Sequence, residues 1–397
     1  YRSEAFIGEE EVLPFRYGRS YRMAQGLSLF EPELPVTDEV FDPTRPKDAA
    51  RDPLPLHGCL RDAAPDSWGR RVVNAEKRAD PEANLSELTY LLAGGSNRIG
   101  ALHFQTTSDS FEPDDRPSAS LQDLLELSDR VADGAPIPPT LLAASRHGTS
   151  IGGAQPKALL EDGDRDLIAK FSVSTDTRAV IGAEAVAMTL AKRVGINVAA
   201  VEVVRADGRD VLIVERFDRP GDGTRRHMVS ALTVLGFRAM SAHHATYADI
   251  CAHVARSFKD PKRTFRELYT RMVFNVCVGN TDDHLRNHAA FWDGRSLELT
   301  PAYDIAPQPR MGREANQAIG VSVDADGRGD RRSTIENCRA GARAFKLTPT
   351  EAEAIIDHVV TTVRRDFDDV CDEVGVASGT RAELWGREFM NPYILVK

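Results

Sequence analysis

Apolar positions recur at helical spacing most clearly over Phe265, Leu268, Tyr269, Met272, Val273 and Val276. This series of i, i+3, i+4, i+7, i+8 and i+11 predicts a buried helix with one broad apolar stripe, ending at Gly279. A second long helix is predicted over 351–370, with Thr348 as cap and Pro349 in the first turn. Shorter helical patterns cover 182–194, 121–131 and 84–93, the last closed by Gly94-Gly95. Asp66 and Ser67 are placed to cap a further helix that holds Val72, Val73 and Trp68, the last read as a packing anchor. Apolar runs at 166–173, and at 198–205 and 211–215 on either side of Asp207-Gly208, predict a strand and a hairpin. Short runs at 5–7 and 13–17 predict small antiparallel strands. Pro32, Pro35, Pro43, Pro46, Pro53 and Pro55 exclude regular structure from 31–55. The stretch 325–332, rich in Gly, Asp and Arg, is expected to be a mobile linker basic enough to touch a partner.

Composition narrows the class. A chain of 397 residues with 42% hydrophobic and 28% charged residues reads as soluble and globular, with room for two or three domains. A formal charge of −10 argues against a protein that wraps nucleic acid. Cys59, Cys251, Cys277, Cys338 and Cys371 lie far apart with no CxxC pair, as expected of free thiols in a reducing compartment. No apolar run approaches the roughly 18 residues of a membrane span. The chain opens at Tyr1 without a signal-peptide pattern, so a cytoplasmic protein with no membrane partner and a trimmed N-terminus is expected.

Candidate chemistry is densest over 279–307, GNTDDHLRNHAAFWDGRSLELTPAYDIAP. Asp282 is followed five residues later by Asn287, then by a short apolar run at 297–299 and a further acid, Asp304. Phosphoryl transfer of the protein-kinase type uses such a layout. One Asp accepts the substrate hydroxyl proton, an Asn binds metal, and a second Asp holds the Mg²⁺ that bridges the phosphates. Two other readings stay open: a solvated loop, and a zinc site on His284 and His288. The zinc-protease pattern needs Glu after the first His, where Leu285 stands.

A second group lies upstream. In HGTSIGGAQPKALL, 147–160, Gly152-Gly153 permits close approach of backbone amides to an anion, with the hydroxyls of Thr149 and Ser150 at the loop tip. The loop is neither a Walker loop nor GxGxxG, and an ordinary turn is its rival reading. It is followed by a strand carrying Lys170 and a helix with Glu184 near its start, the order in which kinases supply a phosphate-binding Lys and the Glu that holds it. Glu215 to Phe217 leave the last predicted strand, where backbone groups can meet an adenine edge. A plain strand end is the alternative.

Taken in order, SIGGAQPK (150–157), AKF around Lys170, VERFDR (214–219), NTDDHLRNH (280–288) and LTPAYDIAP (299–307) resemble the HipA family of Ser/Thr kinases, toxins of bacterial toxin–antitoxin systems. LHGCLRDAAPDSWGRR (56–71) and LLAGGSNRIGAL (91–102) extend the likeness over most of the chain. The resemblance implies an α+β, two-lobed protein-kinase-like fold. It would have a small β-rich N-terminal subdomain over 1–107, an N-lobe over 108–218 and an all-helical C-lobe over 219–397.

The resemblance also implies roles. Asp282 would be the catalytic base, and His284, Leu285, Arg286 and Asn287 would line the nucleotide and metal site. Asn287 and Asp304 would bind Mg²⁺, with Tyr303 beside the ATP. Gly152, Gly153, Ala154, Gln155, Pro156 and Lys157 would cover the phosphates and Lys170 would pair with them, while Glu215, Arg216 and Phe217 would hold adenine. Ser150 would be autophosphorylated, with Thr149 the rival acceptor. The implied partners are a helix-turn-helix antitoxin of the HipB kind, operator DNA only through that antitoxin, and a protein substrate such as an aminoacyl-tRNA synthetase. The alternatives are a catalytically silent regulator bound to antitoxin and operator, and a small-molecule kinase.

Overall fold

The structure, a computed structural model, describes every residue except 1–4, 8, 9, 79, 81, 109, 112, 114–118, 150–152, 154, 174–178, 309–313 and 397, and no side chains for 5–7 and 10. Backbone proximity sorts the chain into two units. The first holds residues 1–177, 203–229 and 292–294, and the second 178–202, 230–291 and 295–397. The predicted subdomain 1–107 thus shares a unit with the sheet that follows it.

In the first unit the Asp66 carboxylate accepts a hydrogen bond from Ser67 N and starts helix α1 (Ser67–Glu76), which buries Trp68, Val72 and Val73. Helix α2 (Glu87–Ala93) starts at Ser86, whose hydroxyl accepts from Thr89 N, and α3 (Leu121–Ala132) opens with a reciprocal Ser120–Asp123 capping box. The sheet comprises β1 (Lys157–Asp162), β2 (Arg165–Phe171), β3 (Val201–Ala206) and β4 (Arg209–Glu215), in the order β1-β2-β4-β3. Asp207 and Gly208, both with positive φ, turn β3 into β4 as the sequence predicted. Alternate strand residues Ala158, Leu167, Ala169, Phe171, Val211 and Ile213 form one core with Trp68 and Val72 of α1 and Leu124, Leu127 and Val131 of α3. That core fixes β1 and β2, on which the candidate phosphate-binding lysines stand.

The second unit is mainly helical. Helix α4 (Val180–Val194) packs along α7 (Pro349–Val374), which begins with a Thr348–Glu351 capping box and Pro349 in its first turn. Helix α5 (Tyr247–Ser257) is capped by Thr246. Helix α6 (Pro261–Val278) is capped by Asp260 and buries the whole predicted stripe from Phe265 to Val276. Gly279 ends α6 at φ +69°, and a Cβ there would collide with Glu388 O, so both conformation and space require glycine.

The 219–397 segment is not all-helical. The strands β5 (Ala289–Trp292, all but its last residue in this unit) and β6 (Leu297–Leu299) pair, and β7 (Ser322–Val323) pairs with β8 (Gly329–Asp330). Ala289 to Trp292 are all buried, a continuous apolar run too short for a helix and suited to a strand. The expected linker 325–332 is instead a hairpin end, held by Asp324 accepting from Asp326 N and Arg328 N and by the Arg332–Asp330 ion pair. Of 13–17, only Phe15 makes a strand-like bridge, to Phe41. The early ladder lies at Ala5–Ile7 and Glu10–Val12. All five cysteines are buried free thiols, and no described helix is long and apolar enough to cross a membrane.

Candidate functional site

The phosphate-loop candidate is anchored at both stems. Phe171 N donates to Pro156 O at 2.9 Å and Leu159 N to His147 O at 2.8 Å. Helix α1 reaches the loop itself: Trp68 N donates to Gly153 O at 3.0 Å, and Trp68 Nε1 to Lys157 O at 2.9 Å. Gly153 sits at φ +103°, and a Cβ there would strike Lys157 Nζ, so glycine is needed for the lysine to lie across the loop. Gln155 Nε2 donates to Phe171 O at 3.3 Å. Lys157 and Lys170 are register partners in the β1–β2 ladder, and both are buried. Thr149 is buried, its hydroxyl donating to Arg146 O. Ser150, Gly152 and Ala154 lie outside the described residues.

At the end of β4, Glu215 pairs with Leu167, and Arg216 N donates to Asp166 O at 2.9 Å. The peptide plane that points Arg216 N at β2 turns the Glu215 carbonyl away from it, and Phe217 then lies in a turn that Arg219 N closes by donating to Arg216 O. The Arg216 side chain goes elsewhere. Its guanidinium, fully buried, bonds Asp218, Asn97 Oδ1 (2.6 Å) and Arg98 O (2.7 Å). Asp218 Oδ2 also accepts from Gly100 N at 2.7 Å and from Arg219. Neither the Arg216 side chain nor its amide, which is spent on Asp166 O, is thus placed for the expected adenine role.

The catalytic candidate lies in the second unit. Past Gly279, the chain turns so that His284 N donates to Asp282 O (2.8 Å), Asn287 N to His284 O (2.9 Å) and Asn287 Nδ2 to Asp282 O (3.1 Å). Asp282 and Asn287, read from sequence as base and metal ligand, are therefore bonded through one carbonyl. Burial pushes the Asp282 carboxyl above the usual carboxylate range against the pull of His284, and the carboxylates of Asp304 and Asp283 push it further up. Asp304 adopts φ +58°, uncommon for a residue with a side chain and of the kind found at functional sites. Tyr303 Oη donates to Arg286 O at 2.6 Å, tying the two acidic segments together, while Leu285 is buried in the core.

These residues fit a hard divalent cation. Asn287 spends its Nδ2 on Asp282 O, which leaves Oδ1 as its acceptor; with the Asp282 and Asp304 carboxylates it would make an all-oxygen donor set of the kind Mg²⁺ takes. The zinc alternative finds no support, since no group of three or more His, Cys, Asp or Glu among the described residues could hold a metal ion, and His288 Nε2 lies 2.9 Å from Asp283 Oδ1. Tyr247 Oη donates to the other oxygen of Asp283. His284 Nδ1 and Asn280 Oδ1 are buried near this loop without a hydrogen-bond partner among the described residues.

The sequence profile described as the HipA-like C-terminal domain matches residues 149–367, more than half of the chain. The chain belongs to this HipA family. A stretch of 230 residues is 29% identical to a protein of Sinorhizobium fredii (strain NBRC 101917 / NGR234) described as the putative kinase Y4mE, covering 50% of this chain and 53% of that protein. Over 202 residues it is 28% identical to the serine/threonine-protein kinase toxin HipA of Shewanella oneidensis (strain MR-1), covering 44% of this chain and 46% of that one. The chain spans about half the length of the curated relatives it matches. In fold it resembles a chain of the solved Shewanella oneidensis MR-1 complex of HipA, HipB and operator DNA, with a TM-score of 0.69 and 19% identity over 99% of this chain and 96% of that one.

Within this HipA-family chain, Asp282, His284, Asn287, Tyr303 and Asp304 come together in one unit, while Gly153, Gln155, Pro156, Lys157, Lys170 and the 215–217 segment belong to the other. Sequence reasoning missed two groups, the Arg216–Asp218–Arg219 cluster on residues 97–100 and the Asp283–His288–Tyr247 cluster. Motif reading named RFDR and DDH but had no means of pairing them with partners 119 and 36 positions away.

Proposed function

We propose that this chain is an ATP- and Mg²⁺-dependent protein Ser/Thr kinase of the toxin type. The observation that carries the reading is Asp282, solvent-accessible, its carboxyl shifted upward, and bonded through its own carbonyl to Asn287, with the carboxylate of Asp304 close enough to raise it further. A carboxylate shifted upward is matched to taking a proton near neutral pH. As the substrate hydroxyl oxygen forms its bond to the γ-phosphorus, Asp282 takes the hydroxyl proton, and the bond to the β–γ bridging oxygen breaks with its electron pair leaving on ADP. Bound Mg²⁺ supplies positive charge that offsets the negative charge on the phosphates. Asn287 and Asp304 are the residues that would hold it. Lys157, Lys170 and the loop through Gly153 would hold the phosphates, and the backbone of Glu215 and Phe217 the adenine.

Family likeness supplies the partners. A small helix-turn-helix antitoxin would carry operator DNA, consistent with a chain of formal charge −10, and the substrate would be a translation protein such as an aminoacyl-tRNA synthetase. Labelled ATP incubated with the purified chain, with and without cell extract and Mg²⁺, tests the activity. Metal-dependent label on protein is expected. Absence of transfer from a chain that binds ATP would favour a silent regulator.

A further inference from the structure

Asp282 and Asp283 are neighbours with opposite fates: Asp282 is partly exposed, whereas Asp283 is 2% exposed. A buried carboxylate costs several kcal/mol unless donors converge on it. Here three do, from three separate elements. Tyr247 Oη, at the start of α5, donates to Oδ2, and His288 Nε2, at the entry to β5, lies 2.9 Å from Oδ1. Asn275 on α6 adds a further hydrogen bond. The Tyr247 and His288 rings meet edge to face at 5.4 Å. The anchors are themselves fixed, since Tyr247 N donates to Gly320 O and the His288 carbonyl accepts from Ala231 N at 2.7 Å.

We infer that Asp283, held by Tyr247 and His288, is a positioning residue that locks the Asp282 loop in its transfer-competent shape. The inference rests on the kinase reading for its catalytic consequence, but not for the lock itself. An apolar side chain at 283 would leave Tyr247 Oη and His288 Nε2 buried without the carboxylate that accepts from them, at a loss of stability. It would not fix the direction of the backbone. The carboxylate does, because its two oxygens bind different elements, and the adjacent Asp282 carbonyl is the acceptor for both His284 N and Asn287 Nδ2. A shift at 283 therefore moves the base and the metal-binding amide together.

Tyr247→Phe and Asp283→Asn in the full chain test this, the first being the gentler change. Hydrogen exchange at the amides of His284 and Asn287 should quicken about tenfold or more at temperatures where both variants still melt cooperatively. Turnover per folded molecule should fall at least about tenfold, with KM for ATP changed less than about twofold, the mark of lost orientation rather than lost binding. Wild-type exchange at both amides in Tyr247→Phe, or a lower melting temperature with kcat unchanged, overturns the positioning role. An inactive wild-type chain would refute the kinase reading instead, and the exchange measurement would still decide whether the lock exists.

Discussion

Lys157 and Lys170 stand directly opposite each other across the β1–β2 ladder, both buried. Two lysines on one face of a ladder are suited to a polyphosphate lying over both. Lys170→Met is therefore expected to weaken MgATP binding by at least about tenfold, or roughly 1.4 kcal/mol. Titration calorimetry with a non-hydrolysable analogue reads this directly, and unchanged affinity would remove Lys170 from the phosphate site.

Asp282 and Asp304 should separate chemistry from binding. Asp282→Asn keeps the side-chain volume and is expected to bind nucleotide normally while losing about 10²–10⁴ in transfer rate. Asp304→Asn should weaken metal-dependent nucleotide binding itself. Transfer by Asp282→Asn at the wild-type rate would show that another group takes the proton.

The two adjacent carboxyls also predict opposite pH behaviour. Burial alone would raise Asp283, but the His288 charge and the hydrogen bonds from His288, Tyr247 and Asn275 outweigh it and hold the group below its ordinary value. Its contribution to stability is complete above the unfolded value of about 3.9 and is lost as pH falls through the lower folded value. Asp282 is shifted upward, so its ionised form costs stability at neutral pH, and that cost disappears as pH falls through its folded value. Asp282→Asn should be slightly more stable than wild type at pH 7, solvent screening most of the cost at this exposed carboxyl, the difference closing toward pH of about 4. Urea unfolding across this range checks it, and a variant no more stable at pH 7 refutes it.

Autophosphorylation, proposed from family likeness, should fall on Ser150 and not on Thr149. The Thr149 hydroxyl is buried and donates to Arg146 O at 3.2 Å, so its phosphorylation would first require the loop stem to open. A phosphate on Ser150 would add about −1.5 to −2 charges to the segment proposed to receive ATP, and should weaken nucleotide binding. Peptide mass spectrometry after incubation with ATP, followed by calorimetry of the phosphoform, tests both parts. Modification of Thr149 alone would refute the assignment.

Much of this was legible because it is local. The α6 stripe, the Asp66 and Thr348 caps, the Asp207-Gly208 turn and the Asp282–Asn287 spacing each declare themselves within a dozen residues. The hairpins at 289–299 and 322–330 were harder, since a strand of two to four residues carries too little pattern to separate from a loop. The least legible features were side-chain destinations. Arg216 looked like part of a nucleotide-binding segment, and only the fold shows its guanidinium turned onto Asn97 and Arg98. Asp283 carried no role of its own in the sequence, and only the arrival of Tyr247 from another helix shows why it is buried.

The Arg216–Asp218 cluster bears on where this protein can be cut. The likeness to the HipA-like C-terminal domain begins at residue 149, yet Arg216 and Asp218, inside that limit, are satisfied by Asn97, Arg98 and Gly100 outside it. A fragment trimmed to the matched residues would strand a guanidinium and a carboxylate that the whole chain keeps out of water, and would lose the α1 bonds to Gly153 and Lys157 as well. The border that inheritance draws on this sequence is therefore not a border of folding, and a fragment that begins at 149 is a broken object rather than a smaller version of the whole.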